Sequence, residues 1–270
     1  MKPEVPENTA GALAGRHLIV TRPAAQAGPF CAMLAAAGAK VTRFPVIEIQ
    51  GPNDPGRLGA VLDALSDFDI AVFVSANAVQ RVVPAALARG PWPARLRVAA
   101  IGARTALELQ DHGRAADIVP ESRFDSEALL QEPALQDLAG HKVVIFRGDG
   151  GREHLAETLR DRGAEVTYVE AYRRAIPDLD PEPLESPLKA GAVDAITVTS
   201  GESLRNLVAM VSPQGRNALL RTPLVIGATR VAELARELGF LGPIQTADDP
   251  TDAAMLRAVL ALLGGGKNTG

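Results

Sequence analysis

The sequence has very little cysteine. Its 270 residues include one cysteine, Cys31, so disulfide bonds within the chain are excluded. Cys31 falls on the apolar side of the first predicted helix, which indicates a core thiol and not a nucleophile. A chain that does without disulfides is typical of a reducing compartment, so we expect it to act in the cytoplasm.

The chain also lacks an excess of either charge. It contains 28 basic and 32 acidic residues, well mixed, for a net charge of −4. This balance predicts no surface for nucleic acid or an anionic membrane, so any anionic ligand must be held by local groups. No apolar run approaches the ~18 residues that a membrane span requires.

Metal-binding patterns are missing as well. The four histidines, His17, His112, His141 and His154, stand singly, and no spacing with cysteine or aspartate resembles a metal site. We therefore expect all four on the solvated surface, and no metal.

The sequence does contain an internal repeat. A run that begins at Lys142 can be laid over the start of the chain at an offset of about 125 positions without a gap. Pairs at this offset are Arg22 and Arg147, Gly38 and Gly163, Asp69 and Asp194, and Ser75 and Ser200. The chain is thus predicted to be two copies of one unit, each of domain size.

Each copy opens with a β-α-β pattern. A short apolar run is followed by apolar residues at helical spacing, then by a glycine that ends the helix (Gly38, Gly163) and a β-branched run. The predicted fold class is α/β, with two Rossmann-like or flavodoxin-like lobes, each a parallel sheet covered by helices.

Two predicted strands are unusually long and lie at equivalent places in the two copies. They are AKVTRFPVIEI, which Pro45 interrupts, and AEVTYVEAYRRAIP. A proline is tolerated at a strand exit, so we expect the first to leave its sheet and travel onward. Together they predict a two-stranded connection between the lobes, near residues 43–50 and 168–176.

Polar residues follow the predicted strands at the points where helices begin. In open α/β sheets the ligand binds beyond these carboxyl ends. The candidates are Thr21 and Arg22; Ser75, Ala76 and Asn77; Gly102 to Thr105; Arg147 to Gly151; Thr199, Ser200 and Gly201; and Gly227 to Arg230. Hydroxyls, guanidinium groups and helix-start amides suit carboxylates or phosphates.

Several of these residues also have plainer interpretations. The turn RGDGGRE could be a nucleotide fingerprint with Glu170 as the ribose acid, but Glu153 occupies its third glycine position, which favours a tight turn or an anion contact. Ser75 and Ser200 lack the nucleophile-elbow pattern and are interpreted as helix N-caps that could also meet a ligand. Tyr172 could be a phenol that faces a cleft or one that packs between lobes.

In order along the chain, these residues form VTRP, FPVIEI, FVSANAV, AAIGARTA, DSEAL, IFRGDGGRE, VEAYRR, TVTSGES and VIGATR. This series resembles the uroporphyrinogen-III synthase family nearly end to end from Arg16. The resemblance implies two lobes joined by two antiparallel strands, with each copy giving its first strand and helix to one lobe and its remainder to the other.

The lobe boundaries follow from this resemblance. Lobe 1 is predicted to contain residues 16–46 and 175–264, and lobe 2 residues 47–174. Residues 1–15 and 265–270 are predicted to be disordered tails.

The family closes the linear tetrapyrrole hydroxymethylbilane with inversion of ring D and loss of water, without metal or cofactor. By resemblance, Tyr172 assists the departure of hydroxide, Thr105 faces the cleft, and Ser75, Ser200 and Gly201 lie near substrate. The family often has two consecutive threonines where this chain has Thr229 and Arg230, so Arg230 could instead pair with a carboxylate.

The remaining expectations concern partners and alternative functions. We expect a monomer that receives hydroxymethylbilane, with a transient hand-over from hydroxymethylbilane synthase, and no nucleic-acid or membrane partner. Two other classes stay open from the sequence. One is a cytosolic two-lobed module that binds or senses a small molecule, and the other is a nicotinamide-dependent oxidoreductase.

Overall fold

The structure, a computed structural model, describes residues 9–121, 125–150 and 153–264. The strands are β1 (His17–Val20), β2 (Lys40–Arg43), β3 (Glu48–Gln50), β4 (Ile70–Phe73), β5 (Arg97–Ala100), β6 (Lys142–Gly148), β7 (Glu165–Ala175), β8 (Ala195–Val198), β9 (Leu224–Ile226) and β10 (Ile244–Thr246). The α-helices are α1 (Ala24–Ala36), α2 (Pro55–Asp63), α3 (Ala76–Leu87), α4 (Ala103–Asp111), α5 (Ser126–Leu129), α6 (His154–Asp161), α7 (Glu182–Lys189), α8 (Gly201–Met210), α9 (Pro213–Arg221), α10 (Thr229–Glu237) and α11 (Asp252–Leu263). Single 3-10 turns form at Leu65–Asp67 and Pro133–Leu135.

The chain forms two compact units. The first unit contains the residues up to Glu48 and from Ala175 onward, and the second unit contains Ile49–Arg174. The chain therefore passes between the units twice, after Glu48 and after Arg174.

The first unit is built on a five-stranded sheet in the order β10-β9-β8-β1-β2, with every neighbouring pair parallel. β1 and β8 are buried along their whole length, because helices cover both faces of a parallel sheet. Phe30 and Leu34 of α1 share one core with Leu256 and Val259 of α11.

The second unit is built on a sheet in the order β3-β7-β6-β4-β5, in which β7, β6, β4 and β5 pair in parallel. β6 shows the alternation of a strand covered on both faces: Val144 and Phe146 enter one core, whereas Val143 and Ile145 enter the other. Phe146 also stacks on Phe73 of β4 at 5.2 Å between ring centroids. The predicted α/β class with parallel sheets is confirmed.

Several local predictions are confirmed. Gly38 and Gly163 follow α1 and α6 with φ of +96° and +90°, the left-handed conformation that glycine adopts without penalty. Cys31 is buried. The run AKVTRFPVIEI divides as expected, because β2 lies in the first sheet and β3 lies beside β7 in the other.

Other local predictions are wrong. The N-terminal tail does not extend to residue 15, because Leu13 is fully buried in the first unit and its N–H donates to the Ala37 carbonyl at 2.8 Å. Residues 1–8 and 265–270, also predicted to be disordered, lie outside the described residues. Before Pro120 the chain forms only an isolated bridge, between Ile118 and Ala99.

His17 is a further correction, because it is buried and not solvated. Its Nδ1 lies 3.0 Å from the Ala192 carbonyl oxygen, and its Nε2 lies 2.8 Å from the Thr42 hydroxyl. Neighbours that are distant in the chain give the ring polar partners that local sequence cannot reveal.

The described part of the chain contains neither a helix suited to span a membrane nor a cluster of metal-binding side chains. Within residues 9–121, 125–150 and 153–264, no helix combines the length and apolar character needed to cross a bilayer. The same residues contain no group of three or more histidine, cysteine or acidic side chains placed to hold a metal ion.

Candidate functional site

Two serines occupy equivalent positions at the carboxyl ends of the sheets. Ser75 follows β4, and its Oγ accepts the Ala78 N–H at 3.2 Å at the start of α3. Ser200 follows β8, and its Oγ accepts the Ser203 N–H at 3.1 Å at the start of α8. The prediction that both serines are N-caps is confirmed.

The second unit has a pocket of about 360 Å³ at the carboxyl edge of its sheet. Six predicted site residues line it: Ser75, Arg147, Gly148, Asp149, Gly150 and Tyr172. The other lining residues are Val74, Ile101, Asp125, Ser126, Glu127, Ile145, Leu155, Tyr168 and Arg174. Strand ends, a helix N-cap and two tyrosines thus converge on one cavity.

Tyr172 is the centre of this pocket. Its side chain is only 1% exposed and belongs to the apolar core formed with α3 and β4 of the second unit. Its oxygen accepts a hydrogen bond from the Ser75 hydroxyl at 3.1 Å and a long one from Arg174 Nη2 at 3.5 Å. The ring is therefore fixed by packing, and the oxygen by hydrogen bonds, in a residue that also lines the cavity.

Gly148 makes room for this tyrosine. A Cβ at Gly148 would stand 2.7 Å from Tyr172 Cζ, closer than real side chains approach. The register of β6 and β7 also shifts here, because Arg147 pairs with Glu170 and Gly148 pairs with Tyr172. A register shift of this kind changes the direction of the neighbouring side chain. Here the Tyr172 ring lies against Gly148, the last residue of β6.

Asp149, in the turn after β6, makes two hydrogen bonds to β7. Its N–H donates to the Tyr172 carbonyl at 3.0 Å, and its Oδ1 accepts the Arg174 N–H at 2.9 Å. Gly150 then takes a φ of +70°, which suits glycine in a tight turn. Gly151, the last glycine predicted there, lies outside the described residues.

Arg147 lies over the ring of the other tyrosine of the pocket, Tyr168. Its guanidinium stands 4.4 Å from the Tyr168 ring centroid, and Nη1 donates to Glu153 Oε1 at 3.0 Å. Burial raises the pKa of Tyr168, the negative charge of Glu153 raises it further, and Arg147 opposes both effects. Stacking and an ion pair thus hold a cation at the rim of the pocket.

Two other cavities of the second unit differ in charge. One of about 290 Å³ shares Arg147 and Tyr168 with the main pocket and adds Arg57, Asp54 and Glu170. The other, of about 480 Å³, is lined by Glu121, Glu127 and Glu132 among its seven residues. This cavity is larger, but none of its lining residues is basic, whereas Arg147 and Arg174 offset the acidic residues of the main pocket. Its three carboxylates would repel an anionic ligand.

The remaining predicted residues of the second unit lie outside the main pocket. Gly102 precedes the first turn of α4, where Thr105 is buried at 4% exposure. Ala76 and Asn77 are half-buried in the first turn of α3.

In the first unit, two predicted residues already have structural partners. The Thr21 hydroxyl donates to the Thr197 carbonyl at 2.7 Å, which ties β1 to β8. Arg22 pairs with Asp252, donates to the Pro250 carbonyl at 2.9 Å and lies over the Phe30 ring. Both side chains are buried, so their donors serve the fold of this unit.

The other predicted residues of the first unit are more accessible. Ser200 and Gly201 are half-buried at the start of α8, and Thr229 and Arg230 are exposed at the start of α10. α8 and α10 pack together, since a Cβ at Gly201 would meet a Leu234 methyl at 3.1 Å.

Sequence reasoning missed two residues that shape the main pocket. Tyr168 and Arg174 were not among the predicted site residues, yet both line it. A usable signal existed for Tyr168, since the chain has only two tyrosines and both lie on β7.

These features define an α/β protein of two parallel-sheet units, with hydroxyl, amide and guanidinium donors gathered where strands end. A model of the family described as uroporphyrinogen-III synthase HemD matches residues 29–257. The chain belongs to the uroporphyrinogen-III synthase family.

Curated relatives and a solved structure give the extent of the similarity. The chain is 37% identical to the uroporphyrinogen-III synthase of Salmonella typhimurium over 245 residues, which is 90% of this chain and 99% of the relative. It is 35% identical to that of Escherichia coli over 250 residues, again 90% and 99%. A mutant uroporphyrinogen III synthase from Thermus thermophilus shares the fold, with a TM-score of 0.58 at 22% identity over 93% of this chain and all of the other.

Proposed function

We propose that this protein is a cyclising lyase that converts hydroxymethylbilane to uroporphyrinogen III, with inversion of ring D and loss of water. The observation that carries the proposal is the pocket of the second unit, where Tyr172, Ser75 and Arg147 converge in a chain of this family. Similarity along 90% of the chain to relatives named for this activity supports it.

The reaction depends more on the conformation in which the enzyme holds its substrate than on a strong general acid or base. An electron-rich pyrrole expels hydroxide readily to give an azafulvene, and unassisted closure gives the unrearranged type I isomer. The enzyme must hold the chain so that ring D attacks through its already substituted carbon to form a spiro intermediate. Orientation is therefore the main catalytic contribution.

Within this proposal, Tyr172 donates a hydrogen bond to the departing hydroxide as a weak acid. Arg147, presented by the Tyr168 face, binds one of the eight substrate carboxylates. Ser75, Ala76, Asn77, Gly102, Thr105, Gly148 and Gly150 in the second unit, and Thr21, Arg22, Ser200, Gly201, Thr229 and Arg230 in the first, are proposed substrate-binding residues. Thr21 and Arg22 are the weakest of these, since their donors are already engaged.

The proposal is tested by product analysis. Hydroxymethylbilane is generated in situ with a deaminase, this protein is added, and the products are oxidised and separated by chromatography. Predominant type III isomer is expected, and a type I yield unchanged from the enzyme-free control would refute the proposal.

We also propose that the enzyme acts in the cytoplasm and takes its substrate from hydroxymethylbilane synthase by a transient hand-over. The spontaneous closure of free hydroxymethylbilane supports the hand-over, because a slow transfer would lose substrate to the type I isomer. Diluting both enzymes at a constant ratio tests it: the type III fraction should fall less than free diffusion of the intermediate predicts.

A further inference from the structure

The hydrogen bonds around the Tyr172 oxygen all run in one direction. The Ala78 N–H donates to Ser75 Oγ at 3.2 Å, and Ser75 Oγ donates to the Tyr172 oxygen at 3.1 Å. Arg174 Nη2 adds a second, longer donor at 3.5 Å. The series begins at a backbone amide of α3 and ends at the phenol.

This direction has a consequence for the phenol proton. A guanidinium can only donate, and the single proton of the Ser75 hydroxyl is already donated to the Tyr172 oxygen. The phenol oxygen therefore receives donors from both neighbours and keeps its own proton for a different acceptor. Since Tyr172 lines the 360 Å³ pocket, an acceptor bound there is the available partner.

We propose that Ser75 is a positioning residue, which relays the polarity of the α3 N-terminus to Tyr172 and directs the phenol proton at the leaving hydroxide. The inference rests on the proposed function of Tyr172 as a weak acid. Because the Ser75 hydroxyl has one proton, its donation to the phenol takes the place of the direct substrate contact proposed for Ser75 above.

The proton balance of this step closes within the reaction. The bond between carbon and the hydroxyl oxygen breaks, both electrons leave with the oxygen, and the Tyr172 proton converts it to water. The phenolate that remains accepts hydrogen bonds from Ser75 and Arg174. The proton released when ring D regains its aromaticity restores the phenol.

The hydrogen bonds from Ser75 and Arg174 have their largest effect when negative charge develops on the Tyr172 oxygen. Hydrogen bonds to a charged oxygen are roughly twice as strong as neutral ones, so the contacts from Ser75 and Arg174 strengthen as the Tyr172 proton moves to the leaving hydroxide. α3 is 12 residues long, and its N-terminus carries a partial positive charge of about half a unit. Hydrogen bonds in series strengthen one another through polarisation.

A double-mutant cycle tests the relay. Ser75→Ala should lower kcat about three- to tenfold, the effect of one hydrogen bond, with a smaller change in KM, and Ser75→Thr should restore kcat. In a Tyr172→Phe background, Ser75→Ala should cause no further loss. An equal loss of kcat in both backgrounds would overturn the relay.

Ser75 also caps α3, so the loss of the cap needs a control. Ser75→Asp keeps an acceptor for the Ala78 N–H but cannot donate to the phenol, and it should lose at least as much kcat as Ser75→Ala. Thr251→Ala removes the N-cap of α11 instead and should leave kcat unchanged. Recovery of kcat in Ser75→Asp would show that only the cap matters and would overturn the relay.

A spectroscopic readout separates the relay from activity. The chain has only two tyrosines, so 3-fluorotyrosine labelling gives two ¹⁹F resonances, which Tyr168→Phe assigns. Ser75→Ala should shift the Tyr172 resonance and leave that of Tyr168 in place, and an unmoved Tyr172 resonance would overturn the relay. Failure of the proposed function itself is distinct, because the unmutated enzyme would then give no type III isomer.

Discussion

At the scale of single residues, Tyr172 is fixed by its neighbours. Its ring is buried in the core of the second unit, and its oxygen is bonded to Ser75. Gly148 leaves just enough space for the ring, because any larger residue would overlap it. A side chain held in this way loses little entropy when it meets substrate, which suits a reaction governed by orientation.

Replacing Tyr172 with phenylalanine should lower turnover by roughly 10- to 100-fold without abolishing it, because a weak acid lies at the low end of general-acid contributions. The ring still fills its core site, so folding should be unchanged by circular dichroism. Complete loss of turnover in a folded variant would point to full general-acid catalysis and contradict the orientation mechanism.

The Gly148→Ala variant should displace the whole ring of Tyr172 and not only its oxygen. The added Cβ would stand 2.7 Å from Tyr172 Cζ, so the ring must shift and its bond to Ser75 must weaken. We expect destabilisation of about 1–3 kcal/mol, typical of overpacking, together with a lower kcat. Gly90→Ala is the matched control, since a Cβ there meets nothing within 4 Å, and equal effects of the two variants on kcat would show that the close approach to Tyr172 is not the cause.

At the scale of secondary structure, Glu185 joins two helices of the first unit. It is 3% exposed on α7, and its carboxylate accepts the N–H and hydroxyl of Ser212, the N-cap of α9, at 2.6 and 2.8 Å. Lys189 Nζ lies 2.7 Å from the same carboxylate. The hydrogen bond from Lys189 lowers the pKa of Glu185, the Ser212 donors add to this, and burial opposes them.

This contact predicts a pH dependence of stability. A carboxyl whose pKa is lower in the folded state adds stability that is fully present above its unfolded value, near 4.5, and is lost as the pH falls through the folded value. Glu185→Gln should therefore cost about 1–3 kcal/mol at pH 7 and less at pH 3, measured by urea unfolding. Glu237→Gln, which neutralises an exposed carboxylate, is the control. A Glu185→Gln cost that is equal at both pH values would refute the prediction.

Elements differed in how well the sequence predicted them. α11 begins after its Thr251 cap, a start that the sequence itself signals, because an N-cap and an amphipathic stretch are local features. α9 was not predicted, since its short sequence PQGRNALLR has a weak apolar pattern and its N-cap is held by Glu185 of another helix. The bulge at Tyr172 was also unpredictable, because it depends on pairing with β6.

At the scale of the whole molecule, each sheet combines strands from both repeats. β1 from the first copy pairs with β8 from the second, and β4 from the first pairs with β6 from the second. Neither half of the sequence can therefore complete a sheet from its own strands in this arrangement. The exchange uses long-range pairing, which slows folding relative to two sequential domains.

The whole chain is expected to be a monomer of 28.3 kDa. The large apolar side chains that are exposed within residues 9–121, 125–150 and 153–264 are Leu87, Leu107, Ile176, Leu179 and Leu241, which are spread along the chain and require no partner. Sedimentation equilibrium at micromolar concentration checks this. A mass near twice 28.3 kDa would show it to be wrong.

The sequence alone determined the α/β class, the repeat, the N-cap serines and the glycines that end α1 and α6, because each depends on short-range periodicity or on backbone conformation. It also placed polar residues at strand ends. Only the tertiary structure decided that the Arg22 side chain is engaged within the fold, that His17 is buried, and that Tyr172 lies under Gly148 within reach of Ser75. These depend on which strands become neighbours, a choice made by packing between residues far apart in the chain.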